Sequence, residues 1–144
     1  MTGRAKVFFI SLGFLTVSFQ TILLREFIAG YSVNELVIGY LLFVWLMGAA
    51  IGSLSGLKLY SQRLLSIAFA SIPFLCLIGI LLMQSLPQIL GFHPAETRPI
   101  LINLLICFIS IFPCSFIGGF LFSSGYSYFR QKITIEGAYL FEIV

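Results

Sequence analysis

Four apolar runs, over residues 7–28, 36–57, 64–86 and 100–124, constrain this chain more than any other feature. The last three contain no charged side chain, and the first carries charge only at Arg25 and Glu26. About 20 such residues cross a hydrocarbon core roughly 30 Å thick. In lipid each backbone N–H and C=O must be paired within its own segment or within a closed barrel. The runs are therefore predicted as helices, although many Phe, Ile and Val residues would favour strands in water. Composition agrees: of 144 residues, 60% are hydrophobic and 9% charged, with mean hydropathy +1.10. A soluble domain has about 25% charged residues. The predicted fold class is an all-α, polytopic membrane helix bundle. It has four complete transmembrane helices plus the start of a fifth over residues 134–144, all within one transmembrane region, 1–144. Thr134 and Glu136 suit the beginning of that last helix, which reaches Val144 before it can cross.

The charge balance sets the expected orientation. Eight Lys and Arg face five acidic residues, giving a net charge of +3. That excess is too thin for a nucleic-acid surface. If the four spans alternate, Arg4, Lys6, Lys58, Arg63, Arg130 and Lys132 share one side, whereas the opposite loops carry Arg98, Glu35, His93 and Glu96. Basic residues mark the cytoplasmic side, which places the N-terminus inside. No A-x-A-like cleavage site follows the first run, so an uncleaved helix is expected rather than a signal peptide.

Small residues suggest how the helices pack. Gly48, Gly52 and Gly56 recur at every fourth position, with Ala49 and Ser53 beside them. Such a stripe allows close backbone approach where lipid supplies no hydrophobic drive. The fourth run has two matching rows, Ser110–Cys114–Gly118 and Ser115–Gly119–Ser123, and one of them is expected to meet another helix, most simply the second. Cys76, Cys107 and Cys114 read as apolar packing residues. The last two are seven positions apart, about 10 Å of helix rise and too far for a disulfide. Pro73 and Pro113 each remove a backbone hydrogen bond inside a span and favour a kink.

Polar groups at membrane depth are costly and are functional candidates by default. Here they are Gln20, Arg25, Glu26, Glu35, Asn103 and Glu142. Arg25 and Glu26 point about 100° apart on a helix and do not pair with one another. A partner on another helix is expected for Arg25, with Glu142 and Glu35 as the choices; snorkelling to the interface is the competing role. Catalytic and metal chemistry find no support: there is a single His and no Asp, and no phosphate-cradling glycine loop. Tyr126, Tyr128 and Phe129 beside Arg130 and Lys132 suit an interfacial aromatic belt.

The stretch Gln20–Ser53 reads QTILLREFIAGYSVNELVIGYLLFVWLMGAAIGS. It resembles the opening of the membrane-embedded spermidine synthase-like (polyamine aminopropyltransferase-type) family. In that family a Q-T-x-L-L-R-E-F segment leads through a turn with N-E-L into a glycine-striped helix. Gln20, Leu23, Leu24, Arg25, Glu26, Phe27, Asn34, Glu35, Leu36, Gly39, Trp45, Gly48 and Gly52 carry the likeness, and Gly137, Tyr139 and Glu142 resemble the start of a later family helix. The resemblance implies a multi-helix membrane region joined to a nucleotide-fold domain that moves an aminopropyl group from decarboxylated S-adenosylmethionine to a diamine. This sequence has neither that domain's glycine-rich cofactor loop nor its acidic residues, so no catalytic residue carries over and no cofactor is expected. The implied role is a membrane anchor or scaffold, the N-terminal part of a longer protein and not an enzyme alone.

The alternative is a transport module, similar to half of a major-facilitator-type transporter, in which Glu26, Glu35 and Glu142 bind a cationic substrate such as a polyamine. The expected partners are the lipid bilayer and either the remaining C-terminal part or a second membrane subunit, with no nucleic acid. A bacterial inner membrane is the expected location.

Overall fold

The computed structural model describes residues 3–30, 35–59, 61–91 and 99–129. They form α1 (Gly3–Gly30), α2 (Glu35–Lys58), α3 (Gln62–Ile89) and α4 (Ile100–Phe129). All four are long and apolar enough to cross a membrane. The expected fifth helix, with Glu142, lies outside the described residues.

Each helix runs past the span expected from hydropathy, because polar and aromatic residues extend it beyond the apolar run. Ser61 caps α3, its Oγ accepting the Leu64 N–H at 3.2 Å. The helix was expected to stop near Pro87 but continues to Ile89. A proline one turn from a helix end costs a single hydrogen bond, to the carbonyl four residues back. The Leu90 N–H still reaches the Leu86 carbonyl at 3.0 Å, and Gly91 then leaves the helix at φ +81°, a left-handed conformation that glycine adopts without steric cost. At the other boundary α4 continues through Phe129 rather than ending at Ser124. Phe129 packs at 5.8 Å from Phe8 and 6.5 Å from Phe9 (ring centroids), which holds the last turn of α4 on the first turns of α1.

Cross-helix contacts establish the topology. Phe8 meets Phe69, and Leu23 lies beside Gly79, so α1 and α3 run parallel. Gly48 faces Phe112 and Ser115 while Gly56 faces Phe120 and Ser124, so α2 and α4 run parallel. Gly118 faces Thr16 and Gly125 faces Phe8, which makes α4 antiparallel to α1. The helices therefore alternate up and down. Lys6, Lys58 and Arg63 share one end of the bundle; Arg25, Glu26 and Glu35 lie at the other.

Helix α4 is the hub. Its buried residues include Asn103, Ile106, Cys107, Ser110, Ile111, Cys114, Ser115 and Gly118, spread around the helix rather than along one stripe. By contrast, α2 buries a single line, Val37, Leu41, Val44, Gly48, Gly52 and Gly56, and packs chiefly on α4. Helices α1 and α3 pack on α4 and on each other. The outer faces are apolar, with Phe14, Leu46 and Leu101 each more than two-thirds exposed. That is the expected exterior for a bundle surrounded by lipid tails.

Candidate functional site

Two polar features are built on this frame. The first is the seam between α2 and α4. A Cβ placed on Gly48, Gly52 or Gly56 would overlap or crowd atoms of α4: the Ser115 hydroxyl, the Phe116 carbonyl and the Phe120 carbonyl respectively. Conversely, a Cβ on Gly119 would overlap the Ala49 carbonyl. Glycine from both sides thus brings backbone against backbone, where dispersion and interhelical hydrogen bonds act without a hydrophobic contribution. Of the two small-residue rows on α4, Ser115–Gly119–Ser123 meets α2. The other, Ser110–Cys114–Gly118, turns toward α1 and α3, with Gly118 against Thr16 and the Ser110 carbonyl 2.8 Å from a Cβ on Gly79.

Hydroxyls complete the seam. Ser53 and Ser123 share a short hydrogen bond between their Oγ atoms. One turn further, the Ser124 hydroxyl lies within hydrogen-bond reach of two carbonyls at the end of α2, Gly56 at 3.1 Å and Leu59 at 3.0 Å. The last carbonyls of a helix have no partner within it; here a side chain from the neighbouring helix serves them. Ser124 is completely buried. Its role was not apparent from the sequence, where it only closes the fourth apolar run. The register set by the glycine stripe would have pointed to it.

The second feature is at the opposite end. Glu26 is half-buried on α1, and its Oε2 accepts a long hydrogen bond, 3.4 Å, from Nε2 of Gln84 on α3. Arg25 and Glu35 are exposed, and Gln20 is half-buried on the inward side of α1. Among the described residues Glu26 thus makes a cross-helix polar contact, with Gln84, which was not among the expected polar groups; Glu142, one of the two partners expected for Arg25, lies outside them. An amide in an otherwise apolar run was the available signal. Near the start of α4, Asn103 is 4% exposed and its Oδ1 has no hydrogen-bond partner; Ser110, two turns along, has an unpartnered Oγ. Glu142 lies outside the described residues, so the geometry joins it to none of these groups.

The three cysteines are free and buried, packed in the apolar core with Leu23, Phe27 and Met83. Among the described residues no cluster of His, Cys or Glu is arranged to hold a metal ion. The chain was compared with protein-family models, curated proteins and solved structures, and no match was found in any of the three.

Proposed function

We propose that this chain is a membrane-anchoring scaffold, embedded in the bilayer with its Lys6, Lys58 and Arg63 end toward the cytoplasm. It corresponds, in this reading, to the N-terminal membrane region of a spermidine synthase-like protein in a bacterial inner membrane. The observation that carries the scaffold reading is the α2–α4 seam. Glycines and serines interlock two backbones that would otherwise be held only by weak contacts between apolar surfaces in lipid. A rigid, apolar-walled bundle suits a part that positions something else. Alkaline carbonate extraction of membranes tests the anchoring directly. The chain is expected to stay with the bilayer fraction, and its recovery as a dispersed monomer without detergent would overturn the proposal.

A second reading, passage of a cationic substrate such as a polyamine, draws on one observation. Glu26, Gln84 and Asn103 place carboxylate and amide oxygens at the same end of the bundle, and such oxygens suit ammonium groups. Uptake of a labelled polyamine by cells expressing the full-length protein, with and without Glu26→Gln, decides this reading. Equal uptake by both ends it; a marked loss in the variant favours it over pure anchoring.

A further inference from the structure

The alternation of the helices brings two exposed cations, Lys58 at the end of α2 and Arg63 in the first turn of α3, to either side of one short connection. Both glutamates among the described residues, Glu26 and Glu35, lie at the other end. Lys58 and Arg63 therefore place two exposed positive charges within six residues of chain, at an end where the described residues include no glutamate. Alongside, the outer face of α2 offers Leu46, Leu54 and Leu57, all well exposed, to an acyl chain. We propose that Lys58 and Arg63 bind the phosphate headgroup of an anionic phospholipid, whose acyl chains lie along the outer face of α2. Charge complementarity selects the occupant: a lipid supplies both the anion and the apolar tail, whereas free phosphate supplies only the first.

The inference rests on the chain being embedded in a bilayer, and its test is separable from that reading. Trp45 is the only tryptophan. It is half-buried and lies 13 residues from Lys58, about 20 Å along the axis and past the middle of a core roughly 30 Å thick, so Leu54→Trp in a Trp45→Phe chain, about one turn from Lys58 on the outer face, serves as the reporter. Its fluorescence, in vesicles of phosphatidylcholine mixed with phosphatidylglycerol carrying dibrominated chains, reads the relative affinity for the anionic lipid. Each cation near the surface contributes about fivefold (about 1 kcal/mol). The reporter chain should therefore prefer phosphatidylglycerol by an order of magnitude or more, and its Lys58→Gln/Arg63→Gln double variant should lose most of that preference. Lys58→Arg/Arg63→Lys should retain it, and Arg25→Gln, at the other end, should leave it unchanged.

An undiminished preference in the Lys58→Gln/Arg63→Gln variant would overturn the proposal, as would an equal loss in Arg25→Gln. Abolition of the preference by inorganic phosphate, with chloride at matched ionic strength as the control, would instead assign the site to a free anion. Failure of the chain to enter vesicles of either composition would contradict the anchoring reading itself.

Discussion

Gly52 of α2 and Phe116 of α4 approach so closely that a Cβ on the glycine would overlap the phenylalanine's carbonyl oxygen. The obstacle is backbone, which cannot rotate away as a side chain would, so Gly52→Ala must push the two helices apart. Overpacking of this kind costs about 1–3 kcal/mol. Unfolding in mixed micelles should show that loss for Gly52→Ala. Gly39→Ala, where nothing lies within 4 Å of the added carbon, should show no loss. Gly48→Leu should disrupt the bundle more severely still, and Leu42→Ala, on the lipid-facing side, should leave it assembled.

Ser124→Ala removes a hydroxyl from two carbonyls at the end of α2 without leaving a large void. Interhelical hydrogen bonds in membranes average about 0.6 kcal/mol and reach about 1.7. The loss should fall in that range, toward the upper part because two carbonyls are affected. Ser53 and Ser123 allow a cleaner measurement, since each touches the other through one atom. A double-mutant cycle with both alanine variants should give a coupling of about 0.6 kcal/mol; additivity of the single variants would show that this contact contributes nothing.

Hydropathy made the helices legible because a bilayer leaves the backbone few alternatives. The four-residue glycine spacing made one packing face legible too, since on a helix Gly48, Gly52 and Gly56 lie along one side. Their partner row on α4 was harder to read. Two small-residue rows lay side by side, and only the arrangement around the hub assigns Ser115–Gly119–Ser123 to α2 and Ser110–Cys114–Gly118 to the other side. Helix ends were underestimated at Pro87 and Ser124, where caps and aromatic packing, rather than hydropathy, decide the boundary. The link between Glu26 and Gln84 depends on the relative register of α1 and α3, and a single sequence does not encode that register in any local pattern.

The alternation of helices predicts which ends share a side of the membrane. Gln62 opens α3 and Gln88 lies near its end; both are exposed. A membrane-impermeant maleimide should label Gln62→Cys only in inverted vesicles and Gln88→Cys only in intact cells. The native cysteines are buried within the bundle and should add little background. Labelling of both positions from one side would break the spanning topology of α3. A clean reversal would keep the topology and overturn the cytoplasmic placement of Lys58 and Arg63.

Asn103 supplies a prediction of opposite sign. Its side chain is buried near the start of α4, and Oδ1 accepts no hydrogen bond. A buried acceptor without a donor costs about 1–3 kcal/mol of desolvation, whereas an apolar group of similar shape has no such cost. If Asn103 serves only packing, Asn103→Leu should stabilise the bundle by about 1 kcal/mol, with Asn103→Ala offsetting the gain through the cavity it leaves. Unfolding of the three proteins in the same micelles measures the order. A loss of stability in Asn103→Leu would mean that Oδ1 is engaged when the protein is in its membrane. Joined to a loss of polyamine uptake in Glu26→Gln, that result would move the balance from anchoring toward transport.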